Sequence, residues 1–238
     1  MRRLRGRWPA LLLVATLALL AGCGSAPGRA GSTARVGTPA ASVTPLDPAD
    51  PDGEPTTITR YDADFHIVES GRMDVTEGLT VSFPEDVIRH GIRRTFREAP
   101  GHVQRFPADV SVLQDGRPAA TEVQRHRHSR VLWIGAADTV LRPGQHTYLI
   151  SYRYDGVLSG DDDAIQRLHW PLVPAGWQQR IDRTRLRVFL PAAATAARCT
   201  AGRVTCSVHG RHTRVLHIET GALPAKTPIV LRARLAPH

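Results

Sequence analysis

From Thr56 onward, apolar and polar residues alternate one by one along much of the chain. Tyr61, Ala63, Phe65 and Ile67 interleave with Asp62, Asp64 and His66. After Glu69-Ser70-Gly71, Met73, Val75, Leu79, Val81 and Phe83 interleave with Asp74, Thr76, Thr80 and Ser82. A period of two puts each set on its own face of a strand, so the two stretches predict a half-buried antiparallel hairpin turning at Gly71. Further strands are predicted within 109–113, leading into an Asp115-Gly116 turn, and within 131–134, 148–154, 186–190, 204–208, 215–218 and 229–235. No amphipathic helical stretch of useful length interrupts them. Many short strands punctuated by Gly, Pro and Asp predict an all-β fold, an antiparallel Ig-like β-sandwich of about nine strands with long loops around residues 84–107 and 155–183.

The beginning of the chain follows other rules. Arg2, Arg3, Arg5 and Arg7 precede an apolar run from Pro9 to Leu20, which leads into Ala21, Gly22 and Cys23. A basic start, a short apolar core and small residues before the cut describe a secretory signal too short to span a membrane. The cysteine directly after Ala-Gly makes it a lipobox. Residues 1–22 are therefore read as a lipoprotein signal peptide, and Cys23 as lipidated on its sulfur. Several acyl chains anchor stably where one would be marginal. Residues 23–55, rich in Ala, Pro, Gly, Ser and Thr, cannot bury enough apolar surface to offset their ordering entropy, and are expected to form a disordered tether. The folded domain is expected over 56–238, at the extracytoplasmic face of a bacterial cell membrane and close to its lipid.

Composition narrows the partners. The formal net charge of +9 falls once the four arginines of the signal are removed, leaving five more cations than anions. That excess suits anionic lipids or envelope polymers and does not call for nucleic acid. Besides Cys23 the only cysteines are Cys199 and Cys206, whose spacing fits a disulfide-closed hairpin with Ala201 and Gly202 near the bend in an oxidising compartment.

The segment SGRMDVTEGLTVSF (Ser70 to Phe83) is followed by RHGIRRTF (Arg89 to Phe96), DVSVLQDGRP (Asp109 to Pro118), VLWIG (Val131 to Gly135) and TYLISYRYDGVL (Thr147 to Leu158). After them come Asp161 to Asp163, His169-Trp170, Trp177 and LRVFLP (Leu186 to Pro191). In this order they resemble the N-terminal extracytoplasmic domain of bacterial predicted membrane proteins, the domain of unknown function 2207 family, over most of residues 57–232. The resemblance implies a domain outside the membrane, ahead of transmembrane helices, with no established activity. Here the chain ends at His238 without such a helix, and a lipid on Cys23 is expected to take its place.

Candidate chemistry is sparse. Arg89, His90, Arg93, Arg94 and Arg97 concentrate guanidinium forks that recognise carboxylates and phosphates, so this stretch is the candidate edge for an anionic polymer or a partner protein. Trp170 and Trp177 are the candidates for a ligand or glycan cleft, with core packing as their ordinary role. Asp161 to Asp163 with Asp155 lack the spacing of a calcium loop, and the histidines, among them His126, His128, His209 and His217, do not converge in sequence as zinc ligands do. No metal or cofactor is expected. Glu77 falls on the apolar face of its strand, where a structural salt bridge to an arginine is its expected role. No nucleophile elbow, metalloprotease helix or phosphate loop occurs, so no enzyme is expected. The sequence thus points to a non-catalytic envelope interaction module, with a small-ligand or glycan binder as the alternative. It names neither the partner nor the oligomeric state.

Overall fold

The structure is a computed structural model that describes residues 54–98, 104, 106–160 and 165–237. The signal, Cys23 and nearly all of the expected tether lie outside the described residues, as do Asp161 to Asp163. The described chain holds no helix and runs through fifteen strands. They are β1 (Thr57–Ile67), β2 (Met73–Phe83), β3 (Ile92–Arg97), β4 (Ala108–Gln114), β5 (Arg117–Pro118), β6 (Thr121–His126), β7 (Ser129–Ile134) and β8 (Gly144–Tyr154). The remainder are β9 (Leu158–Ser159), β10 (Arg167–Val173), β11 (Thr184–Phe189), β12 (Ala194–Ala201), β13 (Val204–Cys206), β14 (Val215–Thr220) and β15 (Ile229–Leu235).

Three sheets result: a seven-stranded sheet in the order β14-β11-β1-β2-β8-β4-β5, a five-stranded sheet β13-β12-β15-β10-β9, and a three-stranded sheet β3-β7-β6. Alternation dictates which faces meet. The odd-numbered residues of β1 from Tyr61 onward and those of β2 are buried with Tyr148, Ile150, Tyr152 and Tyr154 of β8, and with Leu186 and Val188 of β11. The smaller sheets close over this face. Phe96 of β3 meets Tyr152 edge-on at 5.2 Å, and Trp170 of β10 meets Tyr154 at 4.8 Å. All these side chains belong to one continuous apolar core, the usual sandwich solution to burying one face of each sheet.

The all-β, sandwich-like architecture is as expected, with three differences. The strands are more numerous. The expected long loops hold strands of their own: β3 lies within 84–107, and β9 and β10 within 155–183. And the sandwich is not wholly antiparallel, because β1 pairs with β11 in parallel from Tyr61 opposite Thr184 to His66 opposite Phe189. A parallel neighbour requires a crossover, and the chain makes it by running through the five-stranded sheet at β10 before returning as β11.

Turn chemistry fixes the registers. Asp115 and Gly116 have φ of 50° and 76°. Two successive left-handed residues make the tight hairpin turn whose twist matches its strands. Cys199 lies opposite Cys206 across the β12–β13 hairpin, Cα to Cα 5.1 Å, and the two form a disulfide.

Candidate functional site

The arginine-rich segment enters the fold through a glycine crossing. A Cβ on Gly91 would lie 1.7 Å from the Ile134 carbonyl oxygen, and one on Gly135 would lie 1.9 Å from that of His90. Two glycines therefore let the backbones pass flush, which starts the β3–β7 pairing at Ile92 opposite Ile134.

Within β3 the side chains then alternate. Ile92, Arg94 and Phe96 point into the core, while Arg93 and Arg97 are exposed. Arg93 lies over the ring of Trp133, 5.3 Å from its centroid, and Trp133 stands opposite both Arg93 and Glu122 in the three-stranded sheet. Ahead of the strand, Arg89 donates to Glu54 at 3.1 Å, and the His90 Nδ1–H donates to the Thr139 carbonyl at 3.0 Å. A concavity of about 480 Å³ opens here, lined by Ile88, Glu122, Trp133 and Ala136 among others. Ile88 is 75% exposed. Of the five expected anion-reading residues, Arg93 and Arg97 are thus presented to solvent, and Arg89 and His90 are held in the connecting segment.

Arg94 overturns the expectation. It is 4% exposed and faces Glu77, which is 0% exposed. Its Nε donates to one carboxylate oxygen at 2.9 Å and its Nη2 to the other at 2.6 Å. The Tyr152 hydroxyl donates to the same carboxylate at 2.6 Å, and Arg94 Nη1 donates to the Thr95 carbonyl at 2.8 Å. The guanidinium is also 4.3 Å from the Phe96 ring and 5.4 Å from the Trp177 ring. Its inward place in the alternation puts it there, because a cation on the core face of β3 must find an anion. Glu77 is the carboxylate that the β2 alternation had placed inside. Burial disfavours the charge on Arg94, but Glu77 beside it outweighs that and raises its pKa further. Burial, then the charge of Glu77, pushes the Tyr152 and Tyr61 phenols well above their ordinary range. The Arg94 guanidinium stays charged and both phenols stay neutral across physiological pH, and the cluster ties β3 to β2 and β8 through a buried ion pair.

The two candidate tryptophans separate. Trp177 is 1% exposed and packs edge-on against Tyr61 at 6.2 Å, so it fills the core and lines no cleft. Trp170, 5% exposed, lines a cleft of about 240 Å³ with Phe96, Arg97, Tyr154, His169 and Pro174.

A further feature escaped the sequence reading. His146 Nδ1 is 2.7 Å from Asp115 Oδ2 while its Nε2 is 2.9 Å from the Arg142 carbonyl. Acceptors on both ring nitrogens are satisfied together only by the imidazolium. Partial burial opposes that charge, but the hydrogen bonds to Asp115 and Arg142 and the charge of Asp115 prevail, and the pKa is raised. Among the described residues, no three His, Cys, Asp or Glu side chains gather as a metal site would require.

Among solved structures, the chain is similar to yeast LTA4 hydrolase in complex with bestatin, at 12% identity and a TM-score of 0.48, with 75% of this chain covering 28% of that one. It is also similar to a mutant M1 zinc metallopeptidase from Deinococcus radiodurans bound to a Tyr-Ser-Ala substrate, at 11% identity and a TM-score of 0.42, with 76% of this chain covering 43% of that one. The chain therefore spans less than half the length of either. No curated protein matches it in sequence. Residues 57–235 match the family described as predicted membrane protein (DUF2207) N-terminal domain, and the chain belongs to that family.

Proposed function

We propose that this chain presents its β-sandwich as a non-catalytic interaction or assembly module at the extracytoplasmic side of the cell envelope, anchored by a lipid on Cys23. Its docking edge is the three-stranded sheet, and its partner is an envelope protein. Arg93 stacked on half-exposed Trp133, at the rim of the 480 Å³ concavity, is the observation that carries this reading. Arginine and tryptophan side by side, next to an apolar hollow with a charged rim, are what protein hot spots are built from. Membership in a family of predicted membrane proteins supports the location.

The test is crosslinking in intact cells with a photoreactive residue at Arg93, and a control at Ser70 in the β1–β2 turn. A single protein captured from position 93, absent from position 70 and lost with Trp133→Ala, supports the reading. Equal capture at both positions, or lipid alone from position 93, refutes it.

A second reading is a small-ligand or glycan site in the Trp170 cleft. The 240 Å³ hollow and its aromatic wall support it, although Trp170 at 5% exposure leaves little ring surface for a sugar. Calorimetric titration with envelope sugars, repeated on Trp170→Phe, decides it. A ligand whose affinity is unchanged by the substitution counts against the cleft.

A further inference from the structure

The outer face of the five-stranded sheet carries a row of facing arginines. Its inward residues, Leu168, Trp170, Ala197, Cys199, Leu231 and Ala233 among them, are buried. Outward, β10 presents Arg167 and His169, β15 presents Arg232 and Arg234, and β12 presents Arg198. The register sets arginine against arginine: Arg167 stands opposite Arg234, and Arg232 stands opposite Arg198, with His169 on its other side. The sequences of the five strands contain no Asp or Glu. The nearest acids in sequence, Asp161 to Asp163, lie outside the described residues.

The seven-stranded sheet does the opposite on its outer face. There Arg187 pairs with Asp64, and Arg185 pairs with Glu219 at 3.1 Å. Among the described residues, Arg167, Arg198, Arg232 and Arg234 have no such partner. Like charges directly opposite on a sheet are destabilising, and an anion laid over them would relieve the repulsion.

We propose that this face docks on an anionic phospholipid bilayer. Guanidinium forks accept phosphate oxygens in pairs, and arginines near an anionic leaflet are each drawn to it. The residues between the arginines argue for a bilayer over a protein. Ala196, Thr200, Pro171 and Val230 supply no aromatic anchor of the kind that centres a protein interface. A bilayer needs no anchor, because its phosphates move laterally to meet the arginines. The family to which the chain belongs supplies the membrane. This surface is separate from the docking edge at Arg93, so either reading can fail alone.

The test uses the full chain mixed with vesicles of phosphatidylglycerol and phosphatidylcholine in equal parts, or of phosphatidylcholine only. A photoreactive residue replaces exposed Ala196, which lies opposite Arg234 and leaves every arginine in place. Ser70 is the control position. The ratio of lipid adducts at the two positions is read, so that binding through any other part of the chain cancels. The expected result is an excess at position 196 with phosphatidylglycerol. It should fall about fivefold for each arginine removed, and about 25-fold for Arg232→Gln with Arg234→Gln. Both are outward residues whose loss leaves the core untouched. An equal ratio in the two vesicle types, or one unchanged by the double substitution, overturns the proposal. So does capture of an acidic protein in cells from position 196 with lipid adducts at background.

Discussion

Replacing Arg94 by Met removes the guanidinium and leaves the Glu77 carboxylate at 0% exposure with Tyr152 as its remaining side-chain donor. Both Arg94 bonds to the carboxylate go, together with the contact with Thr95. Breaking one side of a buried pair costs about 3–5 kcal/mol, a large part of a typical domain stability of roughly 5–15 kcal/mol. With a urea slope of about 2 kcal/mol per molar, the midpoint should fall by roughly 1.5–2.5 M. Removing the network whole is a different perturbation. Glu77→Leu, Arg94→Met and Tyr152→Phe together remove the carboxylate with both of its donors, and should return to within about 1–2 kcal/mol of the parent. Trp177, 5.4 Å from the guanidinium, makes tryptophan fluorescence a direct reporter of unfolding. The reasoning is refuted if Arg94→Met costs less than about 1 kcal/mol, or if the triple variant loses as much as the single changes added together.

Three other perturbations test separate parts of the fold. Because the His146 pKa is raised above 6.5, its stabilising contribution is complete below that pH and is lost as pH rises through the folded-state value. The melting temperature should therefore fall from pH 6 to about 8.5 more steeply in the parent than in His146→Asn, and equal slopes would dismiss the His146–Asp115 clip. Cys199→Ser with Cys206→Ser opens a loop of separation 7 and should cost about 2.5 kcal/mol by loop closure; chemical denaturation that gives oxidised and reduced protein the same midpoint would contradict this. Gly91→Ala places a methyl 1.7 Å from the Ile134 oxygen and should cost more than about 1 kcal/mol, so an unaltered thermal transition would mean that the crossing is loose.

How far the sequence foretold this depended on whether a strand has one buried face made of sizeable side chains. β1, β2, β8 and β15 alternate cleanly and were legible. β6 was not, since all its residues are exposed and it has no pattern to show. β12 buries Ala194 and Ala197, too small to stand out as a core face. β3 was taken for a charged loop because its inward middle position is Arg94. The same residue explains the misreading of the basic segment: Glu77 was recognisable as an inward acid, but its partner lies on a strand of another sheet. The arginine face of the five-stranded sheet was hidden for a related reason. β10, β12 and β15 contribute one or two arginines each, and only pairing across distant segments turns them into a lattice.

The parallel seat of β1 beside β11 has a consequence for how the domain comes into being. One edge of β1 is covered at once by its hairpin partner β2, but the other waits for a strand 123 residues further on, the separation of Asp64 and Arg187. Until then a long strand with one apolar face offers unpaired backbone groups to any passing chain. Closing so distant a contact is slow, because the loop entropy is lost before the pairing returns it. The domain cannot be assembled piece by piece from its N-terminus. A chain cut short before Phe189 holds β1 and β2 with an open seam, so the last third of the sequence decides whether the first third folds or aggregates.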